Sequence, residues 1–271
     1  MTSGLVRRLK NQNPNLQILI KEPFNKTRQY KDIFYNNPYI VSSETLNEKL
    51  PFIKVPRILT GTRDEINNKI IWKKERVAEI GDFYTKDQET TFADENIKKI
   101  YEHWKTKNKK KPKGIIFISD TAKKNIIMEN KNIKYEHSIN KEWGRKKWQE
   151  FINICSKNYI LIKTSIAKED YIDGLYYVLC DFRSVFSLMR KCDFFIGNEG
   201  GLSHLWAITR KKGIVFFGHW IPPYLTGYPF HINLSTNLDN HCGSLKRCES
   251  CVDFFKNLDP EYINFLVEKN I

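Results

Sequence analysis

The chain has 271 residues, 41% of them hydrophobic, and carries 45 Lys+Arg against 31 Asp+Glu for a net charge of +14. This is enough for one large domain or two of moderate size with a real core, and the charge favours anionic partners. No apolar run reaches the ~18 residues of a membrane helix, and the start, MTSGLVRRLKNQNPN, has no apolar signal core. These features predict a cytoplasmic protein, with peripheral association at the inner face of a membrane.

In chain order, the basic segment Leu5 to Lys10 ends at Asn13-Pro14, and Leu16 to Ile20 follows as a strand. Asn37-Pro38 marks a turn. Pro51 to Leu59 is extended, because its two prolines exclude a helix interior. Asn67 to Ile80 carries a helical pattern that ends at Gly81, and Asp94 caps a second predicted helix through Trp104. Then KTKNKKKPKG, Lys105 to Gly114, brings six lysines with no interleaved aromatic residue to stack on bases. It reads as an exposed hinge between domains and not as a specific nucleic-acid patch.

Beyond the hinge the pattern changes. Strands are predicted at Gly114 to Ser119, Tyr159 to Lys163, Tyr176 to Leu179, Asp193 to Ile196 and Ile214 to Phe217. They alternate with helices at Lys146 to Ser156, Arg183 to Lys191 and Leu202 to Thr209, and Asp259-Pro260 opens a last helix, Glu261 to Lys269. Short apolar strands alternating with helices imply an α/β fold with a parallel sheet covered on both faces.

The chemistry concentrates at DFFIGNEGGLSHL, Asp193 to Leu205, where a buried strand passes into a helix through two adjacent glycines. Glycines admit an anion close to bare N–H groups, and the helix start adds unpaired donors and partial positive charge. A diphosphate fits there, though a glycine pair alone also suits a plain tight turn.

The surrounding residues resemble a known family. GNEGGLSHLWAITRKKGIVFFG (Gly197 to Gly218), KEWGRKKWQEF (Lys141 to Phe151), the helix and strand Phe182 to Ile196, and NPNLQILIKEPF (Asn13 to Phe24) with NNPYIV after it together resemble the heptosyltransferase family, glycosyltransferase family 9. The likeness covers most of the chain and is loose over residues 60 to 110. It implies a GT-B architecture, two Rossmann-like domains facing a cleft, here 1–110 on the acceptor side and 111–271 on the donor side. It further implies that Lys141 contacts the donor diphosphate, that Ser138 helps hold it, and that Glu199 takes the signature's acidic position. Gly200 and Gly201 would offer N–H groups, His204 matches the signature histidine, and Glu169 is the nearest candidate for binding the ribose. Family members begin with a strand and a Gly-Asp turn whose aspartate serves as the base. This sequence begins at the helix after that turn, so a late start is the expectation and the catalytic base is unassigned, with Glu22 as a substitute.

HCGSLKRCESC, His241 to Cys251, spaces its cysteines Cys-x5-Cys-x2-Cys. Cys242, Cys248, Cys251 and His241 together make a four-ligand set for structural Zn or Fe, and free thiols or a labile disulfide are the other readings. Cys155, Cys180 and Cys192 lie in apolar segments and read as core. The loop Gly218 to His231 is either a rigid connector or a border of the nucleotide site.

What the resemblance implies is an inverting, metal-independent glycosyltransferase. It would move a sugar, heptose from ADP-heptose, onto lipopolysaccharide core or a related anionic, lipid-linked glycan. The rival is a non-catalytic descendant that binds nucleotide or glycan.

Overall fold

The computed structural model describes residues 2–20, 33–41, 45–55, 61–64, 67–72, 77–120, 125–128, 131–134, 136–165, 171–236 and 241–271. The N-terminal part holds α1 (Thr2–Gln12), β1 (Gln17–Ile20), β2 (Phe52–Val55), β3 (Gly61–Asp64) and β4 (Lys69–Trp72). After it come α2 (Asp87–Lys107), β5 (Ile115–Ser119), β6 (Asn125–Met128), β7 (Lys131–Lys134), a 3-10 helix (Glu136–Lys141), α3 (Arg145–Cys155), β8 (Ile160–Ser165) and β9 (Tyr176–Leu179). The chain continues with α4 (Phe182–Lys191), β10 (Phe194–Asn198), α5 (Gly201–Ile208), β11 (Gly213–Gly218), α6 (Pro223–Thr226), β12 (Ile232–Ser235), α7 (Glu249–Asn257) and α8 (Pro260–Asn270).

Six strands form one parallel sheet in the order β12-β11-β10-β5-β8-β9. Successive side chains of a strand point to opposite faces, so a sheet covered on both sides needs continuous apolar runs. That is what IIFIS and FFIGN supply. Phe117 and Phe195 enter one core with Ile100 and Trp104 of α2, Leu188 of α4 and Trp206 of α5. Ile116, Ile118, Phe194 and Ile196 enter the other with Trp148 and Phe151 of α3, Phe255 of α7 and Ile263 of α8. Among the described residues, no helix is long and apolar enough to cross a membrane.

Two sequence expectations fail. The described residues of Asn67 to Ile80, 67–72 and 77–80, are not helical. Asn68 turns with φ 53°, and β4 pairs with β3 as an antiparallel hairpin. The alternating exposure along β4 follows from Trp72 packing edge-on against Trp220, 4.9 Å between ring centres, a contact that sequence periodicity does not encode. Asp94 is no cap either. Helix α2 starts at Asp87, and Lys191 of α4 pairs with Asp94 inside it. Helix α2 also packs on the sheet that follows it, and runs to within the lysine stretch. It is fixed by the buried ion pair Arg183–Glu89 (Nε to Oε1 2.5 Å), with the Arg183 Nη2 donating to the Tyr84 carbonyl at 2.7 Å.

In the N-terminal part, β1 and β2 pair in parallel, and α1 covers them through Val6 and Ile18. Ser3 Oγ accepts from the Asp82 N–H at 2.8 Å, and Arg7 pairs with Asp82, which moors α1 to the 79–82 segment.

Within the large sheet, Gly197 of β10 lies so close to β5 that a Cβ on it would stand 2.5 Å from the Ser119 Cβ and 2.7 Å from its carbonyl oxygen. Gly197→Ala is therefore expected to cost about 1–3 kcal/mol of stability by overpacking. Urea unfolding checks this, and an unchanged midpoint would show that β5 and β10 separate freely.

Candidate functional site

In this strand order the chain reverses its direction of travel across the sheet between β5 and β10. Ligands of open parallel sheets bind beyond the strand ends at such a point. Glu199, Gly200 and Gly201 stand there, at the end of β10 and the start of α5. Added Cβ atoms on Gly200 and Gly201 would meet nothing within 4 Å, in contrast to Gly197. The two glycines thus border open space. The Gly200 N–H donates to Ser203 Oγ at 3.1 Å, and the first N–H of the helical ladder is that of His204, which donates to the Gly200 carbonyl. The Gly201 and Leu202 N–H groups have no partner within the helix and carry the positive end of its dipole. Of the two glycines, Gly201 is the donor the geometry leaves to an anion.

Lys141 ends the 3-10 helix and points its ammonium into the same place. Its Nζ lies 2.5 Å from Glu199 Oε2 and 3.9 Å from the centre of the Trp220 ring. Burial pushes the Glu199 carboxyl up, and the adjacent Lys141 ammonium outweighs it, so the carboxyl sits below its ordinary value and is ionised. His204 lies with Nε2 3.9 Å from Glu199 Oε1 and Nδ1 2.9 Å from the Tyr228 hydroxyl. Burial, opposed by Glu199, pushes its imidazole down to about 4, so it is neutral at neutral pH. Burial raises the Tyr228 phenol, which keeps its proton and reaches the Glu79 carbonyl at 3.5 Å.

The structure thus gathers Lys141, Glu199, Gly200, Gly201 and His204 at one point. Ser138 sits one 3-10 turn before Lys141. Glu22 and Glu169 lie outside the described residues. Sequence reasoning missed Trp220 and Tyr228, which sit in the loop regarded as a connector or a border. It also missed the buried pair Asp120–Lys163 (2.6 Å), where Asp120 follows β5 and its carbonyl receives the Asn198 side-chain amide at 3.5 Å. A lysine inside the run Ile160–Ser165 was the available signal, since a charge in a buried strand needs a partner.

The three cysteines of the C-terminal cluster also come together. The sulfurs of Cys242, Cys248 and Cys251 lie within 4.8 Å of one another, and the Cys242–Cys251 separation is 3.4 Å. A hydrogen bond from Cys251 holds the Cys242 thiol down at about 6, which favours the thiolate that a metal requires. His241 is not in the group, contrary to expectation: its Nε2 lies 3.1 Å from Ser235 Oγ and its ring stacks on His219. The donor set is thus three soft sulfurs. They fit three of the four positions of a tetrahedral zinc or iron site.

No protein-family model and no curated protein matches the chain. Solved structures do. TibC, the iron-containing dodecameric heptosyltransferase of enterotoxigenic E. coli H10407, solved in complex with ADP-D-beta-D-heptose, superposes with a TM-score of 0.54 at 13% identity, covering 94% of this chain and 76% of TibC. The fold is that of a heptosyltransferase. E. coli ADP-heptose lps heptosyltransferase II (TM-score 0.45, 12% identity) covers 74% of this chain and 54% of its own. E. coli heptosyltransferase WaaC with ADP-2-deoxy-2-fluoro heptose (0.41, 14%) covers 63% and 48%. The chain spans about half the length of these two.

Within this heptosyltransferase fold, the neutral His204 gives a pH signature. Its folded value lies below the unfolded one, so the unfolded chain takes up the proton first. Stability falls as pH drops from about 6.5 towards about 4, by up to ~3 kcal/mol from this group. Urea unfolding of wild type and His204→Gln across that window should show the fall reduced in the variant. Parallel curves would mean His204 is not held neutral by burial.

Proposed function

We propose that the chain is a GT-B glycosyltransferase that uses a nucleoside-diphosphate sugar. The observation that carries this is the Lys141 ammonium placed beside the open N-terminus of α5 at the point where the sheet reverses. Breaking the bond between the anomeric carbon and the diphosphate leaves negative charge on the departing nucleotide. A fixed ammonium and helix N–H groups stabilise that charge as it develops, without a metal in the transfer step. On this reading the diphosphate oxygens replace Glu199 as the partner of Lys141. An acceptor hydroxyl attacks the opposite face of the sugar with inversion and yields its proton to a base on the N-terminal side of the cleft.

The finer assignment is heptose from ADP-heptose, which is the ligand of TibC. The proposed acceptor is an anionic, lipid-linked glycan such as lipopolysaccharide core. A net charge of +14 suits such an acceptor, reached from the cytoplasmic side of the membrane. We assign residues 1–110 to the acceptor side and 111–271 to the donor side. Helix α2, the last element of the first part, packs against the six-stranded sheet of the second through Ile100 and Trp104 and so joins the two.

Calorimetric titration with ADP, UDP, GDP and CMP tests the donor site. One diphosphate should bind, and Lys141→Ala should weaken it by about 1.5–3 kcal/mol, roughly ten- to a hundredfold. A folded chain that binds none of the four would sink the donor site. Binding with no sugar transfer from ADP-heptose would favour the non-catalytic reading.

The three sulfurs are proposed to hold a structural Zn or Fe ion, which would cross-link the 242–251 loop and take no part in transfer. Elemental analysis of the purified chain should find about one equivalent of one of these metals, lost in Cys242→Ser. A metal-free chain whose three thiols all react freely would remove this assignment.

A further inference from the structure

The residue before Lys141 is Asn140, wholly buried, and nothing in the donor chemistry calls for it. Its side chain is spent on the cysteine loop. Asn140 Nδ2 donates to the carbonyls of Lys246 at 2.7 Å and Ser244 at 3.2 Å, and its Oδ1 accepts from the Cys248 N–H at 2.8 Å. Trp220, the ring that lies against the Lys141 ammonium, is bound to the same loop: its Nε1 donates to the Ser244 carbonyl at 2.8 Å, and its own carbonyl accepts from the Gly243 N–H at 3.1 Å. One peptide therefore holds both neighbours of the lysine. The other end of that residue, the Ser244 N–H, points at the Cys242 sulfur, 3.5 Å away. A continuous path runs from the thiol cluster through Ser244 to Asn140 and Trp220, and from both to Lys141.

We propose that Asn140 is a positioning residue through which the cysteine loop sets the place of the Lys141 ammonium, so that capture of a soft metal ion by the three sulfurs tightens the hold on a donor diphosphate. This rests on the donor-site reading given above for Lys141. A buried amide with all three bonds on one loop transmits a shift of that loop directly to the adjacent residue, because bonds in a packed interior cannot stretch to absorb it. When the sulfurs take a metal they bind it as thiolates. The Ser244 N–H then faces a fixed negative charge, which holds the backbone of Ser244 in place, and the carbonyl of that residue is the one that meets Asn140 and Trp220.

Two measurements on the full chain separate the parts of this proposal. The first needs no nucleotide: acetic anhydride labelling read by mass spectrometry gives the acylation rate of Lys141, with exposed Lys99 and Lys269 as references. Lys141 should react several-fold faster in Asn140→Ala while the reference lysines keep their rates, and Cd2+ should slow Lys141 in wild type and not in Asn140→Ala. Unchanged Lys141 rates, or an equal Cd2+ response in both chains, would overturn the proposal. If Asn140→Ala does not fold, Trp220→Phe carries the test, since it keeps an aromatic ring beside Lys141 and removes the indole N–H bond to Ser244 together with part of the ring. The second measurement is ADP titration. Asn140→Ala should weaken ADP about tenfold in the wild-type background and not further in Lys141→Ala, the non-additivity expected of a residue that acts through another. Additive losses would overturn it. If wild type binds no ADP, UDP, GDP or CMP, the donor reading falls, and the labelling rates still decide whether Asn140 couples the loop to the lysine.

Discussion

Two opposite charges held away from water, the Lys141 ammonium and the Glu199 carboxylate, are the constraint around which the C-terminal half is arranged. Burying either alone would cost several kcal/mol, and the pair is tolerable only with close geometry and further partners. The surroundings supply both. Trp220 offers its π face to the ammonium, β10 ends so that Glu199 leaves the sheet at the strand boundary, and the Glu199 N–H is fixed to the Phe216 carbonyl of β11 at 3.0 Å. The neutrality of His204 belongs to the same arrangement. A protonated imidazole 3.9 Å from Glu199 would compete with Lys141 for the carboxylate and add charge to a site already out of water.

This pairing bears on what the site can accept. A diphosphate that takes Lys141 for itself leaves Glu199 ionised and without its cation, which in a buried position is strongly unfavourable. A ligand that also carries hydroxyl donors compensates by hydrogen-bonding the freed carboxylate, and such charge-assisted bonds are among the stronger ones. On the proposed donor reading, the arrangement favours a nucleotide sugar over inorganic phosphate or pyrophosphate. Selectivity of this kind arises from a partner exchange inside the protein and not from added contacts, and it needs the glycine pair to leave room for the incoming oxygens.

Much of the C-terminal half was legible in the sequence, for a physical reason. A strand buried on both faces must be an unbroken apolar run, so GIIFIS, Asp193 to Ile196 and GIVFFG announce themselves, and their alternation with amphipathic helices leaves few topologies. The helix starting at Pro260 was equally plain, because Asp259 caps it with a side-chain bond to the Glu261 N–H. What misled were segments whose state is set by distant contacts. The stretch after Asn67 has helical spacing, yet Trp72 is claimed by Trp220 and the Ile70 N–H by the Gly243 carbonyl, and both contacts require an extended chain. The same holds at the site. Lys141 and the glycine pair came from a motif. Asn140, Asp120 and Tyr228 carry no local pattern, because their roles depend on residues 24 to 149 positions away.

The N-terminal half meets this site largely through main-chain atoms. The Ala78 N–H donates to the Leu225 carbonyl at 2.6 Å, the Glu79 carbonyl receives the Tyr228 hydroxyl, and the Ile70 N–H donates to Gly243 at 2.8 Å. At Gly243 the fit is so close that an added Cβ would stand 2.1 Å from the Ile70 carbonyl oxygen, and its φ of 54° also favours glycine. Such a joint depends on backbone shape more than on side-chain identity, so it can persist while sequence drifts, in line with a shared fold at 13% identity. It also places Trp72 on Trp220, whose opposite duty is to cradle Lys141. The Trp220 ring thus has Lys141 and Trp72 both in contact with it. The N-terminal segments are thereby linked to the candidate site through two tryptophans, Trp72 packed on Trp220 and Trp220 packed on the Lys141 ammonium.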